Sequence, residues 1–508
     1  MFQSASRYLP ALPAGLPGAK FLRFEVPDTT FYSLAGTTFN LLNGTTGPGL
    51  LALPLAFSRC GYLTAASLLL LTFGFNHLAL QYLLKSCLAT REHSYIGLSL
   101  RAGPHVAAMV DWASLVFFFG SCVSYLVIIG DTFSLVSAHI GAWLGAAGPF
   151  YKAGVALHYS YLSLGMLSAF TGFCLLPLSM LRSMDSLQVT SGVAMLCIIY
   201  AIGVIVCTPP QPASLRDAAS LPLSVDPFDP SDESPKEQTP SPQAAVPFRF
   251  SSESMLALPT MAFCFASQSL FPPALETLHQ PATYHHLQNV VDVTMYTTFA
   301  LHLLVGLSGY LRYGSETAPN VLDNLPPSPA VGVARLAIVL AFAFTYPMMI
   351  FLCRMHIQSI MARWELASQP TDAPTPVPSV ESYHRLVSVL LVGASLACSV
   401  LFPNIDMLFG LLGGTTAVVI SFVAPSIFWD QFVGYMYKWS HPRKLMSRAL
   451  LGFAALIASL ALPAIVVDIL GDLYATAWWV PMSTGSGLRQ WSGGIQIVEG
   501  GAQSNGQT

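Results

Sequence analysis

The chain has 508 residues, of which 53% are hydrophobic and only 9% are charged, and its net charge is −3. Soluble globular domains carry about 25% charged residues. The composition therefore excludes a soluble enzyme, and the lack of a basic excess argues against nucleic acid as a partner. The mean hydropathy of +0.58 indicates a polytopic protein embedded in the lipid bilayer.

Apolar segments of about 20 residues or more, the length needed to cross a bilayer, recur along the whole chain. They are too long and too uniformly apolar for the alternating strands of a membrane β-barrel, so the predicted fold class is all-α. We predict about eleven transmembrane helices, at about 31–58, 62–84, 107–138, 156–181, 186–207, 254–278, 287–311, 331–358, 384–402, 405–429 and 449–471.

Polar and proline-rich segments between these spans predict the domain organisation and the orientation. Lys and Arg are more frequent in the segments that become cytoplasmic when the N-terminus lies inside, which favours that orientation. The predicted segments are a cytoplasmic tail (1–30), helices one to five (31–207), a flexible external or lumenal loop rich in Pro and acidic residues (208–252), helices six to ten (253–430), an inner basic loop with helix eleven (431–472), and an external or lumenal tail (473–508).

The first span is interrupted by the run Asn43–Gly49, which holds three glycines and a proline. Gly costs about 1 kcal/mol and Pro about 3 kcal/mol in a helix interior, so a continuous helix is not expected here. Irregular backbone exposed to lipid is not tolerated at this depth. We therefore expect a break that is buried or lines a water-filled cavity. The alternative is a simple kink packed against a neighbouring helix.

A second break is predicted in span six, where Ser267-Gln268-Ser269 lies between apolar runs and Pro272-Pro273 follows. In many transporters the binding site lies where corresponding helices of two inverted repeats are broken. If spans one to five and six to ten are such repeats, these breaks fall in the first helix of each. This predicts a 5+5 inverted-repeat transporter fold with broken helices one and six.

Several motifs resemble those of the amino acid/auxin permease family, most closely its sodium-coupled neutral amino acid transporters. Thr38–Asn43 followed by Gly47–Pro54 resembles the first-helix signature of that family, and Ser124–Asp131 resembles the motif of its third helix. Further matches in order are Ala257–Phe263, Thr345–Pro347, Phe402–Ile405, Gly413–Thr416 and Ala424–Phe428. The resemblance covers about residues 31 to 470. It implies the inverted-repeat fold and secondary active, ion-coupled transport of amino acids, with no catalytic site.

An amino acid presents a carboxylate and an ammonium group. Free N–H groups at the start of a half-helix suit the carboxylate, whereas carbonyls and hydroxyls suit the ammonium group. The predicted substrate-binding residues therefore lie in the two breaks, where Phe263, Cys264 and their neighbours can also form an apolar pocket. They are Asn43, Gly44, Thr45, Thr46, Gly47, Gly49, Phe263, Cys264, Ser267 and Gln268.

No cofactor is expected, and no His/Cys/Asp cluster has the spacing of a transition-metal site. The coupling ion is Na⁺ or H⁺. In the fold that the resemblance implies, sodium can bind where helix one unwinds against helix eight, which points to Asn40, Asn43 and Thr345. For Asn40 and Asn43, hydrogen bonding between helices is an alternative. Asp131, an ionisable residue inside span three, is the candidate for proton coupling, and a structural role with a nearby backbone donor is the alternative.

Other classes of function are weighed against amino acid symport. A proton-coupled or uncoupled amino acid carrier of an organelle membrane and an amino-acid-sensing scaffold are the alternatives. An intramembrane enzyme is disfavoured because no paired carboxylates and no Ser/His arrangement fall at a common depth. The sequence leaves open the particular amino acid, the oligomeric state, and whether the protein resides in the plasma membrane or in a vacuolar or lysosomal membrane.

Overall fold

A computed structural model describes residues 30–143, 163–180, 188–209, 245–249, 254–272, 284–326, 328–368 and 384–477. Within these stretches the long regular elements are all helices. The helices are α1 (Thr30–Thr45), α2 (Leu53–Cys60), α3 (Tyr62–Thr90), α4 (Tyr95–Ala102), α5 (Pro104–Trp143), α6 (Ser163–Ser179), α7 (Gln188–Cys207), α8 (Ser254–Phe265), α9 (Tyr284–Tyr313), α10 (Pro329–Ser368), α11 (His384–Leu401), α12 (Ile405–Gly414), α13 (Ala424–Phe432) and α14 (Pro442–Ala477).

Each of the eleven predicted spans contains one or two of these helices, so the prediction of an all-helical membrane fold is confirmed. Eight spans in the described residues are long and apolar enough to cross a membrane as they stand, and α6 and α8 are shorter apolar helices. The predicted orientation, the inverted repeat and the domain boundaries stay predictions. Most of the predicted tails and of the loop 208–252 lies outside the described residues.

A short helix that was not predicted from the sequence, α4, lies between the second and third spans. Its N-cap is Ser94, whose side-chain oxygen accepts a hydrogen bond from the Gly97 N–H at 3.0 Å. This is the usual way in which a serine satisfies a free donor at a helix start.

The first break lies between α1 and a 3-10 turn, Pro48–Ala52, that leads into α2. The last helical bond runs from the Thr46 N–H to the Leu42 carbonyl at 2.8 Å, and Gly47 is extended, with φ −78° and ψ −164°. A residue before proline is pushed away from the helical region, which explains the conformation of Gly47. The break is shorter than predicted, since Asn43, Gly44 and Thr45 remain helical.

The second break follows α8. This helix continues through Pro259 and ends at Phe265. Ala266 and Ser267 are not helical, and a 3-10 turn, Gln268–Leu270, continues the chain. Both helix breaks that the sequence predicts are therefore present.

A short segment, residues 245–249, is bonded to the junction between α2 and α3. The N–H groups of Tyr62 and Leu63 donate to the carbonyls of Val246 and Pro247 at 3.1 and 3.0 Å, and the Arg249 N–H donates to the Cys60 carbonyl at 2.9 Å. Gly61 lies between α2 and α3 with φ +82°, and a Cβ there would lie 2.7 Å from the Pro247 oxygen. Only glycine fits this junction.

By its internal contacts the chain divides into two units, Met1–Val466 and Val467–Thr508. The first unit holds the buried apolar core and both breaks. Of the second unit, the structure describes 467–477, the end of α14.

Candidate functional site

The two breaks pack directly against each other and run in opposite directions. A Cβ on Gly44 would lie 2.6 Å from Leu270 Cδ1, and a Cβ on Gly49 would lie 2.7 Å from Cys264 Sγ and 3.0 Å from Phe263 Cδ1. Larger residues at Gly44 and Gly49 would separate the two segments. The glycines that mark the first break in the sequence thus also allow it to approach the second.

A cavity opens beside this contact. It is lined by the two breaks, by one face of α5 and by Met349 of α10. The lining residues are Gly44, Thr45, Gly47, Pro48, Gly49, Phe117, Phe118, Ser121, Tyr125, Phe263, Cys264, Ala266, Leu270 and Met349. Six of the predicted substrate-binding residues are among them, namely Gly44, Thr45, Gly47, Gly49, Phe263 and Cys264. None of the lining residues carries a charge.

Helix α5 contributes a wall of the cavity that was not predicted from the sequence. Phe117, Ser121 and Tyr125 recur every four residues and therefore share one face of that helix. The sequence signal that could have indicated this wall is the pair Ser121 and Tyr125, two polar side chains four residues apart within an apolar span. Tyr125 brings its hydroxyl to the first break, since its oxygen lies 3.5 Å from the position of a Cβ on Gly47.

The start of the Pro48–Ala52 turn is suited to a negatively charged group. The first N–H groups of a helical segment have no carbonyl from a preceding turn to accept them. Pro48 has no N–H, so the donors at this point are its neighbours Gly47 and Gly49. Together with the Tyr125 hydroxyl they can surround a carboxylate.

Asn43 in the last turn of α1 and Thr46 in the first break do not line the cavity. Both are buried, and Asn43 Nδ2 and Thr46 Oγ1 have no hydrogen-bond partner among the described residues. Their contact with substrate stays a prediction.

Ser267 and Gln268, predicted as substrate ligands, also lie outside the lining. The Gln268 amide nitrogen donates to Asn76 Oδ1 on α3 at 2.7 Å. Its oxygen accepts from the Ser421 hydroxyl at 2.7 Å and from the Ser267 N–H at 3.0 Å. Ser421 belongs to a π-helical turn, Val419–Val423, between α12 and α13. In this structure Gln268 therefore anchors the second break to two other elements, and its role as a substrate ligand stays a prediction.

Two of the three residues predicted to bind sodium meet between α1 and α10. The Thr345 hydroxyl oxygen lies 3.1 Å from Asn43 Oδ1 and 2.9 Å from the Ala341 carbonyl. Asn40 Oδ1 is buried without a partner in the described part of the chain. Asp131 lies elsewhere, six residues beyond Tyr125 and so about 9 Å further along α5, and it does not line the cavity.

An ion pair between α2 and α12 was not predicted from the sequence. Arg59, near the end of α2, donates through both terminal nitrogens to the two carboxylate oxygens of Asp406, near the start of α12. Close to this pair in the chain, Phe409 of α12 stacks on Phe263 with 4.6 Å between ring centroids. Both contacts hold α12 against the elements that carry the breaks.

The fold and the site define a multi-pass membrane protein with an uncharged cavity at two broken helices. A comparison with protein families finds that residues 32–467 match the family described as transmembrane amino acid transporter protein. The chain belongs to this family, which confirms the resemblance noted in its motifs.

Three relatives illustrate the range of similar proteins. The chain is 24% identical over 399 residues to solute carrier family 38 member 10 of Mus musculus, covering 78% of this chain and 33% of the relative. It is 25% identical over 409 residues to sodium-coupled neutral amino acid symporter 2 of Danio rerio, covering 79% and 76%. It is 25% identical over 432 residues to vacuolar amino acid transporter 5 of Schizosaccharomyces pombe, covering 83% and 90%. The chain matches only about a third of the length of the mouse relative.

Proposed function

We propose that this protein is a secondary active transporter that carries neutral amino acids across a membrane together with an ion, by alternating access. The observation that carries the proposal is a cavity without charged residues, built directly on the unwound start of a helical segment. Family membership and the names of the relatives support the same class of function.

The backbone of the first break would bind the groups that all amino acids share. The Gly47 and Gly49 N–H groups face the carboxylate, and the partial positive charge of a helix start adds to their attraction. The last carbonyls of α1, which end without intrahelical partners, receive the ammonium group. Since the two charges of the substrate are met by oppositely polarised helix ends, the cavity needs no charged side chain to hold a zwitterion.

The rest of the lining would select the substrate side chain. Phe117, Phe118, Phe263, Leu270 and Met349 provide apolar and aromatic surface. A charged side chain would lose its water here without gaining a partner, at a cost of several kcal/mol. This favours amino acids with uncharged side chains.

Sodium is the coupling ion that we propose. Asn43 Oδ1 and Thr345 Oγ1 supply two oxygens at 3.1 Å from each other, and carbonyls at the end of α1 are available to supply more. Hard cations in proteins are held by about six oxygen ligands. Asp131 would take over the coupling in a proton-driven carrier.

The test is uptake into proteoliposomes that contain the purified full-length chain. Labelled alanine, glutamine, leucine, lysine and glutamate are offered under an inward sodium gradient at equal pH, and then under a pH gradient without sodium. We expect accumulation of the three neutral amino acids with sodium only. Protein-free liposomes serve as the control.

Each other outcome selects a different function. Accumulation driven by the pH gradient alone would replace sodium by the proton. Exchange without accumulation would indicate an uncoupled carrier, and saturable binding without flux would indicate a sensing scaffold. Uptake of lysine or glutamate at the rate of alanine would overturn the selection for neutral side chains.

A further inference from the structure

A cluster of four polar side chains joins α5 to α10 outside the cavity. Asp111 of α5 is fully buried, with 0% of its surface exposed. His356, Ser359 and Arg363 recur at helical spacing on one face of α10. His356 Nδ1 lies 2.8 Å from Asp111 Oδ1, the Ser359 hydroxyl donates to Oδ2 at 2.6 Å, and Arg363 also donates to Oδ2.

This cluster fixes the orientation of the His356 ring. A buried carboxylate is tolerated only when its charge is paired and its oxygens are hydrogen-bonded. Arg363 offsets the charge of Asp111, and Ser359 and Arg363 occupy one oxygen, so the other oxygen depends on His356. If the ring of His356 rotated away, a buried charged oxygen would lose its partner.

The fixed ring packs against a residue of the cavity wall. The rings of His356 and Phe118 stack with 6.0 Å between their centroids and 25° between their planes, within the range of favourable aromatic pairs. Phe118 is 1% exposed and lines the cavity. It lies seven residues, or about 10 Å along the helix, from Asp111. Asp111 is therefore connected to Phe118 in the cavity wall through His356 of the neighbouring helix.

A second arrangement of the same three residue types lies between α3 and α9. His77 Nε2 is 2.7 Å from Asp292 Oδ1, and the His77 ring stacks on Phe73 with 5.9 Å between centroids and 28° between planes. The side chains of His77 and Asp292 are 24% and 28% exposed, whereas those of His356 and Asp111 are 3% and 0% exposed. Phe73 is not part of the cavity lining. The second arrangement can therefore serve as a control for the effect of removing a histidine ring that does not pack against the cavity lining.

We infer that Asp111 and His356 are positioning residues, which hold the Phe118 ring as a wall of the cavity and so limit the size of the amino acid side chain that the site accepts. This rests on the proposed function, because it concerns the substrate of the same cavity. Small neutral amino acids are then preferred over large ones.

The test compares a large with a small neutral amino acid. His356→Ala removes the ring behind Phe118 and gives that ring room to retreat. One methylene group in an apolar pocket changes selectivity by about tenfold, so we expect the ratio of KM for leucine to KM for alanine to fall by about threefold to tenfold. His356→Gln keeps a donor for Asp111 but lacks the ring, and should shift the ratio in the same direction.

The matched control is His77→Ala, which removes the same ring from the arrangement that does not reach the cavity. It should leave the leucine-to-alanine ratio at the wild-type value. A wild-type ratio in a folded His356→Ala or His356→Gln protein would overturn the inference. So would an equal shift of the ratio in His77→Ala.

Ligand-induced stabilisation of the detergent-solubilised full chain, measured by thermal unfolding with the same two amino acids, separates this inference from the proposed function. If the wild-type protein binds but does not transport, the proposed function fails, and the binding ratios of the variants still decide the inference. If the wild-type protein neither binds nor transports any amino acid, both fall together.

Discussion

The two helix breaks lie side by side but use their polar side chains differently. At the first break, Asn43 Nδ2 in the last turn of α1 and Thr46 Oγ1 in the break itself are buried without a hydrogen-bond partner among the described residues. In the second break, Gln268 is bonded to Asn76 and Ser421, on two other elements. Ser269 Oγ of the second break also lacks a partner in the described residues, so the difference lies in the long amide side chain.

This difference suggests different roles for the two breaks, one in binding a ligand and the other in supporting the structure. A buried polar group without a partner costs about 1 to 3 kcal/mol, which a ligand or water can recover by bonding to it. Polar groups that are fully bonded within the protein have nothing to offer a ligand unless those bonds break. We therefore expect the first break to bind the substrate and the second break to support it. The following predictions test this assignment, from the largest effect to the smallest.

Gly47→Leu should abolish uptake while the protein still folds. A Cβ at this position meets only the Tyr125 hydroxyl, at 3.5 Å, and φ is −78°, so the backbone accepts a side chain. The remaining leucine atoms would occupy the cavity, and we expect uptake to fall by about 100-fold, the scale for loss of substrate positioning. Gly74→Leu is the control, because a Cβ there meets nothing within 4 Å. Normal uptake by Gly47→Leu would place the substrate elsewhere.

Gln268→Ala should reduce stability rather than change selectivity. It removes the partners of Asn76 and Ser421, and we expect the free energy of unfolding to fall by about 3 kcal/mol. The thermal unfolding temperature of the purified protein measures this. Asn76→Ala should have a similar effect, and the double variant should lose less than the sum of the two, because the residues share one bond. A large rise in KM for alanine with unchanged stability would instead make Gln268 a substrate ligand.

Thr345→Ala tests the sodium site that we propose beside Asn43. Loss of the hydroxyl should raise the sodium concentration for half-maximal uptake by about fivefold, the effect of one lost polar interaction of about 1 kcal/mol. Apparent substrate affinity should fall with it. Thr345→Ser keeps the oxygen and should be mild. An unchanged sodium dependence in Thr345→Ala would discard this site.

Thr46→Val should have the smallest effect on the ligand-free protein. Its hydroxyl is buried and unbonded within the described residues, so its removal should leave the free energy of unfolding unchanged or raise it by about 1 kcal/mol. A matched Thr345→Val variant, which removes a bonded hydroxyl, should lower it. A clear loss of stability in Thr46→Val would show that the hydroxyl already has a structural partner.

Much of the fold could be predicted from the sequence because the relevant signals are local. Apolar length alone predicts the helices, and the cluster of glycines and proline at Gly44–Gly49 predicts the first break. The side-chain contacts that were missed join distant parts of the chain. Gln268 and Asn76 are 192 positions apart, and Arg59 and Asp406 are 347 positions apart.

The candidate site was predicted only in part, because some of its residues follow from local signals and others from contacts between distant parts of the chain. Gly47 and Gly49 were predicted correctly as cavity residues, because a helix does not continue through the Gly- and Pro-rich run Gly44–Gly49. The prediction for Gln268 rested on residue type, which does not reveal whether a polar side chain is already bonded. Asn43 and Thr345 were paired through the family resemblance, because no local pattern relates positions in different helices.

The segment 245–249 has a consequence for how this sequence can change over evolutionary time. Its bonds to the junction at Gly61 fix where the chain returns after residues 210–244, which the sequence predicts to be a flexible acidic loop. At the other end of the loop, Arg312 donates to the carbonyls of Ile205, Val206 and Thr208 and so fixes where the chain leaves. Doubling the length of a loop between fixed ends costs only about 0.6 kcal/mol. Insertions, deletions and drift between residues 210 and 244 can therefore accumulate without disturbing the helices on either side.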